Sequence, residues 1–279
     1  MEQDKYYREF AEVAPITVLN PHEGVVENLE IFNARGGNIM IIANHPPYEK
    51  TISPTREQVE ESLRALGRGD LIEGMEDHFP AVIARRAVIA KTLNQVFPEL
   101  DYQFHVVGAE FYNQPMSTIQ QQDETIIVPY TQTSHQGDGY LELYRGMRIA
   151  FDPSRVHPKH IVVAFPEGRS SRDGIEKLSR FHSGPFGVAQ TYAIRHNVPV
   201  TVLPIVMGVR SDFSTVSKML PPFQLNPANL VETVLFSKTQ AEMMQLEYTR
   251  LLYKMGSYYW QGMAYPYGGP SKETITHDS

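Results

Sequence analysis

Apolar positions in this chain fall into short continuous runs, separated by stretches with helical spacing. Residues 38–43, Asn-Ile-Met-Ile-Ile-Ala, are a brief isoleucine-rich run of the kind that forms a strand buried on both faces. Residues 160–165 and 199–207 share that character, and 104–107 form a further strand stopped by Gly108. Residues 231–236, Val-Glu-Thr-Val-Leu-Phe, predict a last strand. A helix is expected from Thr55, where Gln58 completes a Thr-x-x-Gln capping box, to Leu66, with Gly67 and Gly69 ending it. Helical spacing recurs over 140–151, 176–196 and 239–259. In the last of these, Met243, Leu246, Leu251 and Met255 are apolar at helical spacing, and Met243, Met244 and Met255 are expected in the core.

Three segments are less regular. Residues 5–13 suggest a short helix, and 81–95 mix a short strand with a helix. Residues 113–138 form a long polar excursion with a short strand at 125–129, and loops of that length often carry function. Alternating strands and helices predict an α/β fold with a mostly parallel central sheet flanked by helices. In such sheets, functional groups collect at the carboxyl ends of the strands.

Composition narrows this picture. A chain of 279 residues, 42% hydrophobic, suffices for a single domain over 1–262, followed by a tail, 263–279, that is expected to be disordered. The formal charge of −7, with no long basic stretch, argues against nucleic acid as a partner and disfavours anionic lipid. Having no cysteine, the chain has no disulfide, thiolate zinc site or cysteine nucleophile. No run reaches the roughly 20 apolar residues of a membrane span, and the first residues lack a signal-peptide pattern. A cytoplasmic protein is expected, with room for peripheral contact with a membrane.

Two motifs carry the chemistry, and both close predicted strands. The first is Asn44-His45-Pro46-Pro47-Tyr48-Glu49. The second is Phe165-Pro166-Glu167-Gly168-Arg169-Ser170-Ser171-Arg172. Near neutral pH an imidazole can take a hydroxyl proton and return it to a leaving thiol, and a carboxylate usually fixes its tautomer. Glu49 is the nearest candidate carboxylate. Gly168 lets backbone approach a ligand closely, and Arg169 and Arg172 suit a phosphate or carboxylate. The plainer alternatives are a histidine bonded to a loop carbonyl and a strand-to-loop turn with solvated arginines. Arg85, Arg86 and Lys91 fit a solvated helix face better than a basic patch. His157 and His160 fit a loop pair better than a metal site.

The motifs together resemble the glycerolipid acyltransferases, the family of glycerol-3-phosphate and lysophosphatidic acid acyltransferases, over roughly 38–210. Asn44-His45-Pro46-Pro47-Tyr48 resembles the start of that family's H-x-x-x-x-D motif, and Gly108-Ala109-Glu110-Phe111 its second block. Phe165-Pro166-Glu167-Gly168 matches its Phe-Pro-Glu-Gly block. Phe181-His182-Ser183-Gly184 and 198–205 follow in the same order. The resemblance implies that His45 deprotonates an acceptor hydroxyl or amine, which attacks an acyl thioester on coenzyme A or acyl carrier protein. Asn44, Glu167, Gly168, Arg169, Ser170 and Arg172 would contact substrate. No metal or bound cofactor is implied. The chain departs from the pattern where Lys50 takes the place of the motif aspartate and Gln114 that of a phosphate-binding arginine. Two further readings stay open: a non-catalytic acyl- or lipid-binding relative, and a thioester or ester hydrolase.

Overall fold

Strand β2 (Asn38–Ala43) lies inside an eight-stranded sheet and is hydrogen-bonded on both sides by strands far along the chain. The computed structural model describes residues 16–21, 25, 37–45, 56–67, 69, 72, 79–109, 126–128, 136–155, 158–167, 181–209, 215–225 and 230–255. In chain order the elements are β1 (Ile16–Val18), β2, α1 (Arg56–Ala65), α2 (Phe79–Val96), β3 (Tyr102–Ala109), β4 (Ile126–Val128), α3 (Gln136–Ala150), β5 (Lys159–Ala164), α4 (Gly184–His196), β6 (Val200–Val209), β7 (Thr215–Met219), β8 (Phe223–Leu225) and α5 (Leu230–Lys254).

The strand order is β1-β7-β6-β2-β5-β3-β4, with β8 also on β6. From β6 to β4 every neighbour is parallel, whereas β7 and β8 run antiparallel to β6. The expected α/β architecture with a mostly parallel sheet is therefore present. Alternation along β2 divides the core. Ile39, Ile41 and Ala43 join the layer that includes Leu63 of α1 and Ala87, Ile89 and Leu93 of α2. Met40 and Ile42 join Leu143 and Met147 of α3, Phe186 of α4 and Tyr248 of α5 on the other face. Both faces being covered explains the largely apolar runs of β2, β5 and β6.

Several elements differ from expectation. Residues 81–95 are helical throughout, within α2. Ala87 to Ala90 are all buried, so this stretch of the helix has no exposed position to mark a period. Arg86 is buried and Arg85 half-buried, so this part of α2 is not a solvated face. Residues 231–236 lie inside the continuous helix α5, where helix context overrides their β propensity. Helix α4 begins at Gly184, not near 176. Pro185 occupies its first turn, and a proline deeper in a helix would clash with the carbonyl four residues back. Helix α1 matches its prediction closely, and Gly67 follows it with φ of 69°. The expected helix at 5–13 and the tail at 263–279 lie outside the described residues.

Strands β1, β7 and β8 have no counterpart in the pattern analysis. In β7, Thr215, Ser217 and Lys218 break any apolar run, yet Thr215 and Ser217 are buried. The Ser217 hydroxyl pairs with that of Thr92 on α2 at 2.7 Å, and Thr92 in turn donates to the Val88 carbonyl. Polar residues that satisfy one another across a helix and a strand are invisible to a hydrophobic period.

Candidate functional site

As β2 ends, Asn44 turns its side chain onto β6. Its amide donates to the Met207 carbonyl at 2.7 Å, and its carbonyl accepts the Met207 N–H at 2.7 Å. The residue is fully buried. The side chain therefore imitates one more rung of the parallel ladder and fixes the direction in which the chain leaves the sheet. The sequence reading placed Asn44 among the substrate contacts. In the structure its polar atoms face Met207, and it positions the residue that follows.

That residue is His45. Its backbone N–H donates to Glu167 Oε1 at 2.6 Å. Glu167 is buried two residues beyond the Phe165 that closes β5, so the bond ties the carboxyl ends of adjacent parallel strands. The Phe165 ring meets the His45 imidazole edge-on, with centroids 5.1 Å apart and planes at 87°. The residue keeps partial exposure, while Nδ1 of its ring is buried. Burial by its surroundings, and secondarily the positive charge of Arg85, hold its pKa well below the usual 6.5, while its own backbone hydrogen bond opposes them. His45 is thus neutral at physiological pH, the state in which an imidazole accepts a proton.

Helix α5 braces this edge from beneath. Tyr248 is fully buried and donates its hydroxyl to the Ile42 carbonyl at 2.6 Å. Its pKa is pushed well above the usual 10, first by burial and further by the Glu167 charge. Phe181 packs edge-on against Tyr248 at 5.2 Å, and its N–H donates to Gln245 Oε1 at 3.2 Å. The next residue, His182, donates its N–H to the Pro166 carbonyl at 2.7 Å. The Phe-Pro-Glu turn, the start of α4 and the middle of α5 are therefore held together around Glu167.

Of the residues singled out in the sequence, Asn44, His45 and Glu167 converge at one edge of the sheet. Glu49, Gly168, Arg169, Ser170 and Arg172 lie outside the described residues, as do Lys50 and Gln114. Sequence reasoning missed Met207 and Tyr248, which look like ordinary core residues, and the closeness of Arg85 to His45. His160 lies in the strand expected over 160–165, and the loop pair with His157 does not hold for it. Rather than sitting in a loop, His160 is buried on β5, where its Nδ1 lies 2.6 Å from Nε2 of His105 on β3. Among the described residues no group of three or more histidine, aspartate or glutamate side chains is gathered as a metal site. Nor, among them, is any helix long and apolar enough to cross a membrane. A scan against protein-family models finds no match, and a search of curated proteins finds no similar sequence.

Proposed function

We propose that this chain is an acyltransferase that moves an acyl group from an acyl thioester of coenzyme A or acyl carrier protein to a hydroxyl or amine, with His45 as general base. The observation that carries the proposal is a neutral imidazole, on a partly exposed residue at the carboxyl edge of a parallel sheet, anchored through its backbone to Glu167 of the Phe-Pro-Glu-Gly motif. The resemblance to the glycerolipid acyltransferases supplies the reaction class.

In this reading the acceptor oxygen or nitrogen attacks the thioester carbonyl while His45 removes its proton. The carbon–sulfur bond then breaks, and His45 returns the proton to the leaving thiolate. An imidazolium held well below its ordinary pKa is a strong enough acid to protonate a thiolate whose conjugate acid has a pKa of about 8.5. Glu49 would orient the ring. Gly168, Arg169, Ser170 and Arg172 would line the acceptor pocket beside Glu167. A contact with a membrane surface would be peripheral, and a cytoplasmic setting fits a chain without cysteine.

The test is thiol release from acyl-coenzyme A and acyl carrier protein, offered with a panel of alcohols and amines. Wild type, His45→Ala and Glu49→Gln are compared. Release that requires an acceptor and disappears in His45→Ala is the expected result. Release without an acceptor would make the protein a hydrolase, and saturable acyl binding without turnover would make it a binding relative.

A further inference from the structure

On the sheet face opposite the His45 imidazole, helices α3, α4 and α5 enclose a cleft of about 460 Å³. That size falls within the roughly 300–1,000 Å³ typical of small-molecule sites. Its floor is one stripe of α4: Gly184, Gly187, Val188, Thr191 and Arg195 recur at helical spacing. Its wall is α3, where Tyr140 and Leu141 are 52% and 47% exposed, although both are large and apolar-bodied. Glycine on the floor is what leaves room. A Cβ on Gly184 would lie 2.6 Å from the Tyr140 ring, and one on Gly187 would lie 3.4 Å from the Ser237 hydroxyl.

The charges along this cleft point one way. The whole chain carries a formal charge of −7, yet among the described residues no acidic side chain lines the cleft and the one charged side chain there is Arg195. Arg195 is exposed and sits over the Tyr144 ring, 5.3 Å from its centroid. Among the described residues it makes no ion pair. From Ser183 to Arg195 the floor runs roughly 18 Å, at about 1.5 Å per helical residue. The cleft is also separate from His45: the Phe165 ring against that histidine packs into the layer beneath α1 and α2, on the far side of the sheet.

We propose that this cleft binds a straight-chain amphiphile with one anionic headgroup, its chain along α4 between Tyr140 and Leu141 and its head at Arg195. A fatty carboxylate has this chemistry. The elongated floor, open at its two glycines and walled by Tyr140, Leu141 and Val188, accepts the chain, and the guanidinium on an aromatic ring accepts the head. The inference does not depend on the acyl-transfer reading, because binding here needs neither His45 nor turnover.

Calorimetric titration of the full chain with palmitate and dodecanoate tests it, with dodecyltrimethylammonium as the cationic control. Wild type should bind one palmitate per chain saturably, and more tightly than the cation. Arg195→Gln should weaken binding by about tenfold. Leu141→Glu, which sets a negative charge beside the chain, should abolish it, and His45→Ala should leave it unchanged. Both cleft changes are at exposed positions, and far-ultraviolet circular dichroism checks that they fold. The proposal is overturned by absence of saturable binding to either carboxylate, or by equal affinity for the cation. It is equally overturned if His45→Ala abolishes binding while Leu141→Glu preserves it.

Discussion

The Glu167 carboxylate accepts the backbone N–H of His45 at 2.6 Å, joining two strand ends that are 122 residues apart in sequence. Because the bond is to main chain, Glu167 fixes where the imidazole starts. Burial by its surroundings, and secondarily the charge of Arg85, set the protonation of the ring.

The pH behaviour of His45 follows from that division. Chemistry that needs neutral imidazole should persist at pH values well below 6.5 and fail only as the pH falls through the depressed pKa. Stability should move the same way. Below about 6.5 the unfolded chain binds a proton at this histidine and the folded chain does not, so stability declines with falling pH. An NMR titration of the His45 ring checks the position of the pKa. Arg85→Gln, which removes the positive charge, should raise it.

Asn44→Ala should be among the most damaging single changes near the site. It removes two buried hydrogen bonds and leaves both the N–H and the carbonyl of Met207 to be satisfied. A loss of roughly 2–4 kcal/mol is expected from urea unfolding. Any measured activity should fall with it, because the direction of the His45 loop is lost.

Tyr248→Phe deletes the bond to the Ile42 carbonyl and should cost about 1 kcal/mol by the same measurement. A second signature lies at high pH. The folded pKa of this tyrosine is raised, so above about 10 the unfolded chain releases a proton that the folded chain retains. Stability should therefore decline as the pH rises past 10, and less steeply in Tyr248→Phe.

Gly146 is where α3 presses onto β4. A Cβ there would lie within 2.4–2.8 Å of three side-chain carbons of Ile126, which is itself buried. Gly146→Ala should therefore destabilise the protein by about 1–3 kcal/mol through overpacking, despite the higher helix propensity of alanine. Adding Ile126→Val should recover part of the loss, which a thermal-melt series would show.

The central strands were legible in the sequence because burial on two faces leaves a continuous apolar signature, as in Ile39 to Ala43. The same logic failed where polar groups are buried in pairs, as with Ser217 and Thr92, and where a helix is buried around much of its circumference, as at Ala87 to Ala90. Met244 and Met255 are in the core as expected, but Met243 is 61% exposed. Adjacent positions on a helix point about 100° apart, so Met243 and Met244 could not both face inward. At the site, the convergence of Asn44, His45 and Glu167 was readable from their places at strand ends. The bonds that hold them were not, because Met207 contributes only its main chain and Tyr248 comes from a helix 206 residues beyond Ile42.

The position of β2 also bears on how the chain is made. Both of its sheet neighbours are synthesised much later, β5 from Lys159 and β6 from Val200. An emerging polypeptide therefore carries this apolar hexapeptide without a pairing edge until over half of its length exists. The anchoring of His45 waits later still, for Met207. Such long-range closure slows folding and prolongs exposure of a sticky segment. During translation, 38–43 should be the stretch most in need of a chaperone, and any ribosome-bound fragment ending before Met207 should lack the Asn44 clamp altogether.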